Sequence, residues 1–171
     1  MTHAFSSISE SDSAKNHPER AIKAVKILSD LAGFRGMVGG QVLDLEAAEK
    51  ETDPETIFLI HKLKTGALIK ASVLMGCAAA GADDELCGLS EKYAADFGFA
   101  FQIIDDILDF DGNYETCELN SYVKVHGLEK ARKDAMSYIN WANKNLSELS
   151  EKGFETLNFN ELLDFLIKRL K

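Results

Sequence analysis

Residues Phe97 to Phe110 read F-G-F-A-F-Q-I-I-D-D-I-L-D-F. Ten of these 14 residues are apolar or glycine, and at helical spacing they cover every side of a helix. A helix that is apolar all round is a buried one. Asp105, Asp106 and Asp109 therefore enter an interior, where an unpaired carboxylate costs several kcal/mol. Something must compensate for them. Asp105 and Asp109 are four residues apart and stand on one face, a turn from each other, with Asp106 to one side. Gly98 and Gln102 continue that stripe toward the N-terminus. Two carboxylates so close repel, and one keeps its proton unless a cation sits between them. Hard divalent cations favour such oxygen ligands, and Mg²⁺ takes one or two carboxylates together with waters and a substrate phosphate. The competing reading is a solvated acidic face. Phe101, Ile103, Ile104, Ile107, Leu108 and Phe110 argue against it. A calcium-binding EF-hand loop is excluded, because Tyr114 stands where glycine is needed and Asn120 where the bidentate Glu is needed.

Composition sets the wider frame. The 171 residues are 46% apolar and 27% charged, which fits one compact domain over residues 1–171 with a flexible lead-in at 1–17. Only two prolines are present, too few turn signals for an all-β sandwich. The formal net charge of −9 argues against a nucleic-acid partner. That charge is local: Asp83 to Glu118 holds eleven acids and one base, Lys92, and the remainder is close to neutral. Cys77, Cys87 and Cys117 form no CxxC pair, so neither a disulfide framework nor a zinc site is encoded. The start, MTHAFSSISE, lacks the basic and apolar regions of a secretory signal. The apolar stretch Gly66 to Ala82 is interrupted by Lys70 and reads as a buried core helix rather than a membrane span. The expectation is a soluble protein of a reducing compartment, the cytoplasm.

The punctuation predicts helices throughout. His17-Pro18-Glu19 opens a helix that carries Ile22, Val25, Leu28 and Leu31 on one face and ends near Gly33, although His17 is a poor cap. A second segment spans Phe34 to Lys50. Asp53-Pro54-Glu55 is a stronger start, for a long helix reaching about Gly81. Asp83 or Asp84 caps the helix that runs to about Asp111, and a turn-rich stretch, DGNYETCELNSYVKVHG, follows. Leu128 to about Leu149 is amphipathic, and Asn158 or Asn160 caps a last helix, Glu161 to Leu170. No alternating strand pattern competes. The fold class is all-α.

Two further stretches hold polar residues among apolar ones. H-K-L-K-T-G-A-L-I, His61 to Ile69, carries Lys62, Lys64 and Thr65-Gly66. It follows no glycine-rich loop and so is not a phosphate-cradling P-loop. Taken alone, its lysines read as snorkelling surface residues. G-G-Q-V-L-D, Gly39 to Asp44, contributes Gln41 and Asp44, whose plain reading is a helix surface. Gly36 and Gly40, four apart, suit tight helix packing.

These stretches, followed by Y-A-A-D-F-G-F-A-F-Q-I-I-D-D-I-L-D at Tyr93 to Asp109, occur in the order and spacing of consecutive helices. Together they resemble the C-terminal part of the trans-isoprenyl diphosphate synthases, the polyprenyl synthetase family of farnesyl and geranylgeranyl diphosphate synthases. G-L-E-K-A-R at Gly127 to Arg132 is a weaker echo. The resemblance implies a partial isoprenoid-synthase-type helical bundle around a central cavity, usually as a homodimer. It implies head-to-tail condensation of isopentenyl diphosphate with an allylic diphosphate, with Mg²⁺ as cofactor and Mn²⁺ as an alternative. Asp105, Asp106 and Asp109 would be metal ligands, direct or through water. Lys64, Thr65 and Gln102 would hold the allylic diphosphate, with Gln41, Asp44 and Phe101 nearby. Lys64 and Asp105 would be the catalytic pair. Such chemistry needs a leaving diphosphate neutralised and water kept from a carbocation, not a covalent nucleophile.

The sequence also departs from the family's pattern. The first aspartate-rich motif, which would face the second, is not among these residues. The segment after Asp109 is shorter than the family's usual one by roughly ten residues, with Asn120-Ser121-Tyr122-Val123 where a lysine is customary; nothing in the spacing assigns Lys124 as a replacement. Three readings follow: a prenyltransferase chain that is truncated or completed by another polypeptide, either as a homodimer or with a partner chain that supplies the missing N-terminal helices; a non-catalytic partner or scaffold subunit of the same fold; and a class I terpene cyclase. The cyclase is the weakest, because N-L-S-E at Asn145 to Glu148 lacks the spacing of a second metal motif.

Overall fold

In the computed structural model, which describes residues 2–170, the helices follow one another as α1 (Thr2–Glu10), α2 (Asp12–Asn16), α3 (Pro18–Ala32), α4 (Met37–Ala47), α5 (Pro54–His61), a π-helical segment (Lys62–Gly66), α6 (Ala67–Ala80), α7 (Asp84–Leu108), α8 (Tyr122–His126), α9 (Leu128–Glu151) and α10 (Leu157–Leu170). No strand occurs among the described residues. The all-α expectation is met.

α7 is the axis of the bundle. Asp83 caps it, its side chain accepting from the Leu86 amide at 2.8 Å. Its 25 residues bury apolar side chains on all sides, Ile103 and Ile104 completely. Full burial of one such side chain contributes roughly 1.5–3 kcal/mol. α9 is its most extensive partner. The buried face of α9 is Ala131, Ala135, Ile139, Ala142, Leu146 and Leu149, and the alanines let the two axes approach closely. α6 and α10 also pack on α7, α3 lies on α6, and α4 lies on the π-helical segment.

Several local expectations change. Residues 2–16, read as part of a flexible lead-in, carry the helices α1 and α2, neither of which buries a residue. The helix from Pro54 is not regular to Gly81: its hydrogen bonding widens over Lys62–Gly66. The turn-rich stretch after Asp109 contains α8, started by Ser121, whose hydroxyl accepts from the Val123 amide at 3.2 Å. α10 starts at Leu157 rather than Glu161, and its first amide meets the Glu155 carboxylate at 2.9 Å instead of an asparagine cap.

The stretch Gly66 to Ala82 is only half buried. Ala67, Ala71 and Ala78 face the core, while Ile69, Val73, Gly76 and Cys77 line a cavity of about 540 Å³ shared with α7 and α10. The run 54–80 is long and apolar enough to cross a membrane by length and composition alone; here it packs against α3, α4 and α7.

Candidate functional site

The π-helical segment faces the C-terminal half of α7 on one side and α4 on another, and a glycine contact sets the approach at each. A Cβ on Gly98 of α7 would stand 3.1 Å from the Gly66 Cα. A Cβ on Gly40 of α4 would collide with the backbone of Leu63 and Lys64. The small spacing read from Gly36 and Gly40 thus serves packing at Gly40. A π-type turn inserts one extra residue and so re-aims the side chains it carries. Here it carries Lys64 and Thr65.

Lys64 Nζ lies 2.5 Å from Asp44 Oδ2. The Asn120 amide donates to Asp44 Oδ1 at 2.8 Å, and Gln41 reaches Oδ2 weakly at 3.5 Å. Asp44 is well covered, whereas the Lys64 side chain keeps 37% of its exposure. The carboxylate therefore holds the lysine in place without removing it from solvent. Asn120, from the shortened segment, closes this side of the site. Lys124 does not: its ammonium donates to the Tyr114 carbonyl, within the loop.

A hydrogen-bonded chain crosses from this segment to α7. Thr65 Oγ1 donates to Gln102 Oε1 at 2.6 Å, and Gln102 Nε2 donates to Asp106 Oδ1 at 3.2 Å. The other oxygen of Asp106 accepts from the Tyr122 backbone N–H at 2.5 Å and lies 3.2 Å from His61 Nε2. Asp106 is 12% exposed, and protein donors occupy both its oxygens. His61 is buried beside Phe99 and Tyr122, and its Nδ1 has no hydrogen-bond partner.

Asp105 and Asp109 are placed differently. Asp105 Oδ1 meets Arg169 Nη2 of α10 at 2.7 Å, and both side chains keep about a quarter of their exposure, 28% for Asp105 and 27% for Arg169. Burial pushes the Asp105 carboxyl above the ordinary carboxylate range; the Arg169 guanidinium opposes that rise, and the charges of Asp109 and Asp106 add to it. Asp109 ends α7, is exposed, and makes no ion pair among the described residues. Phe101 lies one turn below Asp105, under the Arg169 guanidinium at 5.3 Å.

No group of three or more His, Cys, Asp or Glu side chains converges on a single point among the described residues. The donor chemistry still fits a hard divalent cation at two of the three aspartates. Asp105 and Asp109 offer carboxylate oxygens one turn apart on one face of α7, with part of each open to water and phosphate. Asp106 offers none that a protein donor has not already engaged.

Phe101 also meets Phe97, with ring centroids 6.5 Å apart, and Phe97 lines the 540 Å³ cavity together with Tyr93, Leu86 and Ile69. The stripe Leu86, Tyr93, Phe97, Phe101, Asp105 thus runs from an apolar cavity to a carboxylate. Asn145, considered for a second metal motif, donates instead to Asp96 at 3.0 Å and to the Trp141 carbonyl. Burial pushes Asp96 up to about 6, partly offset by that Asn145 bond.

Of the residues read from the sequence, Gln41, Asp44, Lys64, Thr65, Gln102 and Asp106 fall into two adjoining networks, while Asp105 and Asp109 stand at the edge beyond them. His61, Asn120, Tyr122 and Arg169 were not anticipated as members. His61 precedes Thr65 by four residues, so helical spacing already places it on that side.

The sequence model of the family described as Polyprenyl synthetase matches residues 2–122. Over 182 aligned positions the chain is 36% identical to the farnesyl diphosphate synthase of Escherichia coli K12, covering all of this chain and 61% of that protein. It is 35% identical to a dimethylallyltranstransferase of Fischerella ambigua, covering 88% of this chain and 46% of that one. The geranyltransferase of Helicobacter pylori, in a crystal structure with magnesium and isoprenyl diphosphate, superposes with a TM-score of 0.81 at 31% identity, over 98% of this chain and 57% of that one. The chain spans about half to three-fifths of the length of these proteins.

Proposed function

The chain belongs to the polyprenyl synthetase family, and from that premise we propose that it contributes the diphosphate-binding and metal-binding side of a prenyltransferase site. The reaction is head-to-tail condensation of isopentenyl diphosphate with an allylic diphosphate. The observation that carries this reading is the hydrogen-bonded chain Thr65, Gln102, Asp106, with Lys64 and Asp105 next to its two ends in sequence and the Phe101 and Phe97 rings leading from Asp105 to an apolar cavity.

Lys64, already aimed by Asp44, binds the allylic diphosphate through its ammonium. Thr65 turns its hydroxyl donor toward the same group once it gives up its bond to Gln102 Oε1, and Gln102 offers the Nε2 hydrogen that Asp106 does not use. Asp105 and Asp109 would hold Mg²⁺, with Mn²⁺ as an alternative. Asp106 positions Gln102 and the start of α8 rather than ligating. A bound divalent cation supplies charge neutralisation at the departing diphosphate. The Phe97 and Phe101 rings and the cavity beyond them take the prenyl tail and keep water from the allylic cation. Lys64 and Asp105 remain the two residues whose charges bear most directly on ionisation.

The 171 residues carry one aspartate-rich motif, where the resemblance implies two facing ones. Alone they are expected to bind an allylic diphosphate in the presence of Mg²⁺ and to show little or no condensation. Absence of Mg²⁺-dependent binding would overturn the reading; robust turnover by the chain alone would overturn its dependence on a second motif.

A second reading, a non-catalytic partner or scaffold subunit of the same fold, is favoured by one feature. Ile22, Val25, Phe34, Val38, Val42 and Leu45 expose an apolar surface on α3, α4 and their connection, Phe34 at 81%. A second copy of this chain is the proposed cover, giving a homodimer in the cytoplasm. Sedimentation should then show a dimer that Phe34→Asp splits; a monomer in both would refute the assembly.

A further inference from the structure

Arg169 lies 64 residues beyond Asp105 in sequence, yet its guanidinium, brought in by α10, makes an ion pair with the aspartate motif. It is held in place by more than charge. Its guanidinium lies 5.3 Å from the Phe101 ring centroid and 5.6 Å from that of Phe165, so two aromatic rings flank it. The last turn of α10 is tied a second time, where Arg132 Nη1 donates to the Leu170 carbonyl at 2.8 Å. Beneath it Leu163, Leu166 and Leu170 are buried, while Leu162 and Phe165 remain open to solvent.

Guanidinium cannot lose its proton in this setting, so Arg169 is a permanent cation on Asp105. A divalent cation taken by the same carboxylate would stand within a few ångströms of it, and the two positive charges would repel. Both side chains of the pair are partly open to solvent, so the contact can break without unfolding the core. We propose that Arg169 is a resident counter-ion for Asp105, a latch that a divalent cation must displace, and that its release frees the last turn of α10. This rests on the assignment of Asp105 as a metal ligand. The coupling is reciprocal: whatever factor Arg169 takes from metal affinity, the metal takes from the docking of α10.

The test uses the whole chain and Mn²⁺ alone, with free Mn²⁺ read by electron paramagnetic resonance and α10 read by amide hydrogen exchange. Arg169→Gln should bind Mn²⁺ roughly two- to fivefold more tightly than the unsubstituted chain, the range expected for a partly exposed pair. Arg169→Lys, which keeps the charge but loses the planar stacking, should fall between the two. In the unsubstituted chain, saturating Mn²⁺ should speed exchange over residues 167–170. Unchanged or weaker binding by Arg169→Gln, with Asp105→Asn still impaired, would overturn the latch and leave the metal assignment intact. Equal binding by Asp105→Asn and the unsubstituted chain would overturn both. If Arg169→Gln does not fold, the exchange measurement decides by itself: no change in α10 on adding Mn²⁺ overturns the proposal.

Discussion

The aspartate side of the site stands on a filled core, whereas the lysine side stands on a helix that departs from its own regularity. Behind Asp105 and Asp106 lie Ile103, Ile104 and Ile107, buried against the alanine face of α9. Behind Lys64 lies a five-residue π-type segment wedged between Gly40 and Gly98. The acidic side therefore uses packing to take Asp106 largely out of water and to hold Asp105 at the edge of the core. The basic side spends close backbone contact to aim one ammonium that stays in water. What the contrast teaches is that a change at Asp106, inside the packed side, should register first as stability, and a change at Lys64 first as ligand affinity.

Asp106→Ala is the most severe way to test that division. It strands the Tyr122 amide, the Gln102 side chain and His61, so unfolding by urea should show a loss of about 3 kcal/mol. A change within a few tenths of a kcal/mol would place Asp106 outside the supporting network. Lys64→Ala removes a half-exposed side chain and should leave the urea midpoint nearly unmoved. It should weaken binding of inorganic diphosphate by roughly tenfold, the scale of one charge-assisted hydrogen bond. A variant that loses stability but not affinity would reverse the assignment of the two sides.

The smallest expected effect concerns Asp96 of α7, hydrogen-bonded to Asn145 of α9, whose carboxyl is pushed up to about 6 by burial. Its folded value lies above the ordinary one near 3.8. The native state therefore binds the extra proton between about pH 4 and 6, and stability from this group falls as pH rises through that window. Above about pH 6 the charged form costs about 1 kcal/mol or less, since solvent screens a half-exposed carboxyl. Asp96→Asn should flatten that slope in urea unfolding measured from pH 4 to 7. An unchanged slope would assign it to other groups.

Much of the acidic side was legible in the sequence. The all-round apolar pattern of Phe97 to Phe110 announces a buried helix, which holds as far as Ile107, whereas Leu108 and Asp109, expected in the interior, are exposed where the helix ends. Asp83 and Asp53 announce helix starts through their side-chain chemistry, and both cap as expected. The lysine side was legible in its residues but not in its shape. A π-type turn shifts the register by one residue and leaves no mark in the alternation of apolar and polar positions. Asp106 could be named but not its partners, because one of them is the backbone N–H of Tyr122, which no side chain advertises. Arg169 was invisible for a different reason. A contact across 64 residues depends on how α10 returns over α7, and local pattern carries no information about that return. The start of α10 was misplaced because Asn158 and Asn160 are good caps that the chain does not use, Glu155 doing that work instead.

The central claim is that Asp105 draws a divalent cation and a diphosphate to this face of α7. Calorimetric titration of inorganic diphosphate, with and without Mg²⁺, tests it on three chains: the unsubstituted protein, Asp105→Asn, and Asp12→Ala, whose carboxylate is exposed and paired with Lys15 far from the site. The account predicts Mg²⁺-dependent binding by the unsubstituted chain and by Asp12→Ala, and its loss in Asp105→Asn. Identical titrations for the two variants would contradict it.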